Sequence, residues 1–316
     1  MKKMLSIYVA TYNHENYIEK ALDSIFMQVT DYSYEVLVGE DCSTDNTRKV
    51  LKRYENQHLD LVEKGILKIF YRDHNMYREK PNNVTDLIYR SSGKYIIALE
   101  GDDFWTDKNK IQTQIEFLEN NDDYIAVAHE CIVVDKNSNL LQEVYPTCKS
   151  SEYCLKHFMA NQFPGQTTTV LYRNIYKDSN IETDIMFEGL MPGDRLRNFV
   201  LLLNGKIKCL PLKMSAYRHI TNDGDSWSST YSYKFLTEYS FYEGLLRYSK
   251  EMDNKEFILA SESLLFRCLA KGYKTKSITF DEFKTYFNKI DYKCRACRKW
   301  VKYKLCKDVL KTEFWY

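Results

Sequence analysis

Glycine and proline are scarce in this sequence, 11 and 5 among 316 residues. Such counts exclude collagen-like, linker-rich and Gly-rich repeat architectures. Net charge is nearly absent as well: 45 Lys and Arg against 44 Asp and Glu leave +1. A chain so balanced has no overall attraction to nucleic acid, so no nucleic-acid partner is expected and any charged ligand must meet a local patch. No apolar run approaches the roughly 18–20 residues of a membrane span. The stretch Met1–Ala10 is too short in apolar run for a signal peptide and reads straight into a strand. Nine cysteines, an odd number without an export signal, predict free thiols in a reducing cytoplasm. Two phosphate-binding signatures are missing, the P-loop G-x-x-x-x-G-K-[ST] and a G-x-G-x-x-G after the first strand. A phosphate ligand would then need a cation to neutralise it.

What is present is a foldable core. Hydrophobic residues make up 44% and charged residues 28%, enough for a large α/β domain with an added helical part. Strand-like runs at Leu5–Ala10, Tyr34–Gly39, Ile66–Tyr71 and Tyr95–Leu99 alternate with helical stripes. The first stripe runs from Tyr17 to Phe26, with Asn16 and Glu19 placed as a capping pair. Others start near Asp45, at Val84–Arg90 and at Lys110–Glu119. Alternation of this kind predicts right-handed βαβ crossovers and a mostly parallel sheet flanked by helices. Further on, Ile125–Val134 and Leu140–Val144 read as a hairpin around Asp135–Asn139, and Gln166–Tyr172 as a strand. Leu196–Leu203 reads as a helix stopped by Gly205, and the chain beyond Trp227 as helical, clearest at Tyr239–Tyr248 and Phe257–Leu269. The expected domains are 1–230, in halves 1–120 and 121–230, and a helical region 231–316.

In a parallel sheet, ligands sit beyond the carboxyl ends of the strands. Three polar clusters fall there: Thr11–Asn13, Glu40–Asp45 and Glu100–Asp103. Glu100 and Asp102 are two residues apart, so their carboxylates can converge. Hard oxygens suit Mg²⁺ or Mn²⁺, which keep open positions for substrate phosphates. Gly101 between them would let backbone approach a ligand. Taken alone, the tetrapeptide also suits a solvated acidic turn.

Together these blocks resemble family 2 glycosyltransferases. The likeness rests on Ala10-Thr11-Tyr12-Asn13 with Tyr17-Ile18 and Ala21–Ile25, on Val38–Thr47, and on Glu100–Asp107 with Asn109-Lys110. Their order and spacing agree over roughly residues 4–120, and more weakly to about 230. The resemblance implies a GT-A fold binding a nucleotide-diphosphate sugar, a UDP-sugar by the family's habit. It implies that Thr11, Tyr12 and Asn13 lie beside the nucleotide, with Asp41 and Glu40 near its base or ribose. It also implies that Glu100-Gly101-Asp102 stands for the DxD motif, with Asp102 the ligand of Mn²⁺ or Mg²⁺. Glu100 replaces the commoner Asp and could reach ribose or a metal-bound water instead. In the segment Met191–Arg195, Asp194 matches the family's catalytic base and implies inversion by single displacement; by itself it also suits a helix N-cap. Tyr217-Arg218-His219, followed by Thr221–Ser229 with Gly224 and Trp227, resembles a segment that closes over the nucleotide-sugar. Arg218 is thereby a candidate diphosphate partner and His219 a candidate metal or diphosphate ligand.

The expected activity is glycosyl transfer to a glycan acceptor, lipid-linked or free, in surface polysaccharide synthesis. A metal-dependent nucleotidyltransferase and an inactive nucleotide-sugar-binding module share the same signals. Cys294 and Cys297 with Cys306, Cys148, Cys154 and His157 give too little paired spacing for a zinc site and read better as packing residues. From Lys293 to Tyr316, eight Lys or Arg face two acidic residues, with aromatics interleaved. Such a tail suits either a docked, solvated helix or peripheral attachment to an anionic membrane surface. Attachment predicts that the full chain, unlike one ending near Ile290, pellets with anionic vesicles at moderate salt.

Overall fold

The computed structural model describes residues 4–77, 79–177, 193–220 and 234–290. The basic tail, Cys294, Cys297, Cys306 and the Thr221–Ser229 segment lie outside these residues. Strands and helices alternate first: β1 (Leu5–Thr11), α1 (Ile18–Phe26), β2 (Tyr34–Glu40), α2 (Thr47–Gln57), α3 (Leu59–Glu63) and β3 (Leu67–Tyr71). Then come α4 (Asn83–Arg90), β4 (Tyr95–Glu100), β5 (Phe104–Trp105), α5 (Lys110–Glu119) and β6 (Tyr124–Val134). The chain continues through β7 (Glu152–Tyr153), α6 (Leu155–Met159), a 3-10 turn at Thr167–Thr169, β8 (Leu171–Arg173), α7 (Gly193–Asn204) and β9 (Lys206–Arg218). Three helices close it: α8 (Phe235–Glu251), α9 (Lys255–Lys274) and α10 (Phe280–Asn288). Described residues up to 220 form one compact unit and residues 234–290 a second.

The first unit is built on one sheet in the order β3-β2-β1-β4-β8-β6-β9-β5, with β7 on β9. β1, β2, β3 and β4 pair in parallel. Beyond β4 the sheet turns mixed: β8 is antiparallel to β4 and β6, β9 is parallel to β6, and β5 and β7 are antiparallel to β9. The central strands are apolar on both faces because helices cover both; Leu5, Ile7, Val9, Val36, Val38, Ile97 and Leu99 belong to one buried cluster with Ile18, Leu22, Ile111 and Ile115. Register fixes the functional edge. Thr11 is opposite Glu40 on one side, and its neighbour Ala10 is opposite Glu100 on the other. Three strand ends therefore finish level, with their polar loops side by side.

The opposite end of the sheet is tied by Glu35, which is 1% exposed. Its carboxylate accepts from Ser6 Oγ (2.8 Å), Ser92 N (2.9 Å), Ser92 Oγ (2.6 Å) and Lys68 Nζ (3.0 Å). Burial alone would raise its pKa, but the bonds from Ser92, Ser6 and Lys68 outweigh burial and bring it to about 2. A carboxyl depressed in the folded state stabilises fully above its unfolded value and loses that contribution as pH falls through 4.5 toward 2. The contribution is at most about 3 kcal/mol. Urea unfolding of Glu35→Gln should show lower stability at pH 7 and a flatter pH dependence between 4.5 and 2; parallel curves for variant and wild type would refute this.

Several sequence expectations are corrected. Asn16 and Glu19 form no capping pair: Tyr17 occupies the N-cap without a side-chain bond, and Glu19 pairs instead with Arg53 at 2.5 Å. The 125–144 hairpin reduces to one bridge, Val134 with Leu140, while β6 pairs along its length with β9 and at Ala126 and Val127 with β8. Leu140 and Val144 are left 70% and 74% exposed. Within 166–172, residues 167–169 coil into the 3-10 turn before β8 begins, with the Gln166 side chain as its cap. Asp194 is no N-cap, since α7 begins one residue before it. Cys154 and His157 cap α6 in a reciprocal box, and Cys148 Sγ lies 3.5 Å from Cys209 Sγ. Among the described residues no three His, Cys, Asp or Glu are arranged to hold a metal.

In the second unit, α8, α9 and α10 pack through aromatic contacts such as Phe235 with Tyr286 and Phe266 with Phe283. Asn254 caps α9, and Thr279 with Glu282 caps α10. No described helix is long and apolar enough to cross a membrane.

Candidate active site

The loop after β1 is knitted to the loop after β2. Asn13 adopts the left-handed region at φ 57°, which Asn tolerates well. Its Oδ1 accepts from Thr44 N (2.9 Å) and Thr44 Oγ1 (3.2 Å), and its own N–H donates to Ser43 Oγ (3.1 Å). Thr11 is buried, with Oγ1 3.2 Å from His14 Nδ1. Tyr12, 40% exposed, is the open group of this loop.

The two acidic residues after β2 separate in role. Glu40 has no exposed surface, and its oxygens accept from Ser43 N and Arg48 Nε, each at 2.5 Å. It holds the loop and is not available to a base or ribose, contrary to expectation. Asp41 accepts from Met76 N through Oδ1 (2.8 Å). Its second carboxylate oxygen carries no hydrogen bond among the described residues. Burial pushes the Asp41 carboxyl above its ordinary range, against the Met76 bond and the Arg72 charge.

The turn after β4 gathers three carboxylates. Gly101 is needed here for a different reason from the one expected. A Cβ on it would lie 2.7 Å from both Thr11 Oγ1 and His14 Nδ1, so the glycine lets this turn approach the β1 loop rather than a ligand. Glu100 is half-buried and accepts from Gln166 Nε2 at 3.0 Å. Burial, then the charges of Asp102 and Asp194, push its pKa up to about 8. Asp103 is 1% exposed, with oxygens accepting from Arg218 N (2.7 Å) and Gln166 Nε2 (2.9 Å). Asp102 is only half-buried, and its carboxylate accepts no hydrogen bond among the described residues. Asp194, in the first turn of α7, accepts from Arg195 N at 2.7 Å and lies close enough for its charge to bear on Glu100. Burial raises its pKa, against the pull of Arg197 and Arg195.

Arg218 does not serve as expected. It is 3% exposed; Nε donates to the Asp102 carbonyl (2.8 Å), one terminal nitrogen to the Asp135 (2.7 Å) and Lys136 (3.1 Å) carbonyls, and the other to Ser138 Oγ (3.1 Å). Its plane lies 4.3 Å from the Tyr17 ring centroid. The guanidinium is thus a strut that fixes the Asp102 turn. His219 is paired with Glu143, Nδ1 to Oε2 at 2.5 Å. Beside Arg218 opens a cleft of about 470 Å³ lined by Tyr17, Lys20, Lys136 and Ser138 among others, with cations and no carboxylate among the described residues. Lys20 sits with Nζ 3.7 Å from the Phe104 centroid and lines this cleft; sequence reasoning missed it. Gln166 was missed too, for want of any local signal.

The donor set fits a hard divalent cation. Glu100 and Asp102 offer carboxylate oxygens; burial first, and then the charges of Asp102 and Asp194, raise Glu100, and a cation would offset the part due to those charges. No three-residue cage exists among the described residues, but Mg²⁺ and Mn²⁺ are commonly held by one or two carboxylates plus substrate phosphates.

Relatives place this geometry in a family. An uncharacterized protein of Mycobacterium bovis is 27% identical over 72% of this chain, which spans only 62% of that relative's length. A Campylobacter jejuni protein named GalNAc(5)-diNAcBac-PP-undecaprenol β-1,3-glucosyltransferase is 25% identical over 85% of this chain and 84% of its own. A putative teichuronic acid biosynthesis glycosyltransferase of Bacillus subtilis is 31% identical over 37% of this chain and 42% of its own. Among solved structures, S. aureus TarS 1-349 in complex with UDP-GlcNAc superposes with a TM-score of 0.59 at 21% identity, covering 90% of this chain and 79% of that one. That likeness bears out the GT-A α/β fold. The model of glycosyl transferase family 2 matches residues 6–176, more than half the sequence, and the chain belongs to that family.

Proposed function

We propose that the chain transfers a sugar from a UDP-sugar to a hydroxyl of a glycan acceptor, with inversion at the anomeric carbon. The observation that carries this is the level ending of β2, β1 and β4, which sets the loops carrying Asp41 and Glu100–Asp102 on either side of the β1 loop, with the Asp194 charge bearing on Glu100. Thr11, Asn13 and Asp41 would flank the nucleoside, and Glu100-Gly101-Asp102 would act as the DxD element. Asp102, helped by Glu100, would hold Mn²⁺ or Mg²⁺. A cation bound there supplies Lewis-acid stabilisation of the charge developing on the leaving diphosphate. Asp194 takes the acceptor hydroxyl proton while the new C–O bond forms and the bond to the diphosphate oxygen breaks. Burial raises its pKa, which strengthens it as a base. Lys20 and Lys136, in the cationic cleft, are suited to anionic groups entering beside Asp102. A lipid-linked acceptor is proposed from the name of the Campylobacter relative, and UDP from the family resemblance and the ligands of TarS.

A thermal-shift panel of UDP-, GDP- and dTDP-sugars, each with Mn²⁺ or EDTA, tests the donor class. Ligands that bind only the native state raise its melting temperature by mass action, about 2.7 kcal/mol at a hundredfold excess over Kd. A UDP-sugar with Mn²⁺ should give the largest shift. No response to any donor would overturn the assignment.

A further inference from the structure

The Glu100–Asp103 turn carries three carboxylates in four residues, and two are held by one amide. Gln166 Nε2 donates to Glu100 Oε2 at 3.0 Å and to Asp103 Oδ2 at 2.9 Å. Its orientation is fixed from behind, because Oε1 accepts from both Thr168 N and Thr168 Oγ1 at 2.7 Å. Rotating the amide by half a turn would set its oxygen against two carboxylates and its NH₂ against Thr168 N, and only the Thr168 hydroxyl bond could survive, with its direction reversed. The backbone carrying Gln166 is pinned in turn. Thr169 Oγ1 donates to Gln166 O (2.7 Å), and the Thr169 carbonyl accepts from Gln114 Nε2 (2.8 Å), a residue buried in α5. Gln166 itself is 2% exposed. On the far side of the turn Arg218 binds Asp103 Oδ1 through its N–H and the Asp102 carbonyl through Nε.

We propose that Gln166 is a positioning residue of the transfer site, holding Glu100 and Asp103 so that Asp102 alone presents a carboxylate without a hydrogen bond toward the donor and its cation. The proposal deepens the transferase reading above and rests on it. It also accounts for Glu at position 100: the additional methylene relative to Asp lets the carboxylate reach Gln166 while its other oxygen stays available to a ligand. Gln166 touches neither donor nor acceptor; it acts through the two acidic side chains. Partners one step removed from a metal ligand commonly change metal affinity by about 10–100-fold.

The test uses the full chain, with UDP as probe, titrated calorimetrically in Mn²⁺ and in EDTA. Gln166→Met keeps the length of the side chain and removes both donors. It should weaken UDP binding in Mn²⁺ by about tenfold or more, while affinity in EDTA changes by less than about twofold. Thr168→Val, which removes only the hydroxyl bond to Oε1, should shift binding the same way by a smaller factor, and decides the matter if Gln166→Met fails to fold. Combining Gln166→Met with Glu100→Met should cost clearly less than the product of the two single losses, because each alone already breaks the one shared contact. Equal losses in Mn²⁺ and EDTA, no loss in Mn²⁺, or independent single effects would each overturn the proposal. A wild-type chain that binds no UDP in Mn²⁺ would overturn the transferase reading together with it; normal wild-type binding and an indifferent Gln166→Met would overturn this proposal alone.

Discussion

Asp194→Asn should lower turnover by about a thousandfold, within the 10²–10⁴ range of a lost general base, while UDP affinity in Mn²⁺ changes by less than about twofold. The substitution keeps the shape and the carbonyl oxygen that accepts from Arg195 N, so the first turn of α7 is not disturbed. What it removes is proton affinity, since an amide cannot take a proton from an acceptor hydroxyl at neutral pH. It also removes one of the charges that raise Glu100, so the Glu100 pKa should fall and donor binding should not suffer. In the wild type, kcat should rise with pH on its acid limb as Asp194 ionises, its pKa raised by burial; in the variant that limb should vanish along with most of the rate. Turnover within tenfold of wild type would place the base elsewhere. A wild type with no turnover to lose would be a nucleotide-sugar-binding module, and pyrophosphate release from a nucleoside triphosphate would mark a nucleotidyltransferase.

The parts of the site legible in the sequence are those written locally. β1, β2 and β4 are continuous apolar runs because both faces of a parallel sheet are covered, and their polar ends mark the functional edge. Asp102 and Asp194 could be singled out because each sits in a short motif. β9 left no such trace. Lys206–Arg218 contains Pro211 and three consecutive exposed residues, and it pairs with β6 through register shifts that no alternation pattern reports. Arg218 could be noticed, but its role could not be read. Its guanidinium is consumed by carbonyls about 80 residues upstream, and only the fold brings those within reach. The same holds for Glu40, whose motif suggests a ligand contact while Arg48, the second residue of α2, pairs with it. Gln166 is a further case, since its partners lie 63 and 66 residues away in sequence. Motifs name the residues at such a site; whether their polar atoms are already spent is a tertiary property.

That distinction is what makes Asp102 the most exposed target of mutation. Of the three acidic side chains in the turn, Asp103 has both oxygens occupied and Glu100 one, leaving Asp102 as the carboxylate without a hydrogen bond. Asp102→Asn should therefore abolish stimulation by Mn²⁺, with activity falling by about 10²–10³. Lewis-acid stabilisation of the leaving diphosphate is worth several kcal/mol, and about 1.4 kcal/mol corresponds to a tenfold rate. The sign of the stability change separates this from simple damage. Asp102 is one of the charges that raise Glu100 and Asp103, so its removal relieves repulsion, and the metal-free variant should melt no lower than wild type. UDP with Mn²⁺ should then shift the melting temperature of the variant no more than UDP with EDTA. Asp102→Asn that melts well below wild type would mean the carboxylate holds the turn together instead, and one that keeps full Mn²⁺ stimulation would mean that the cation is held by other residues.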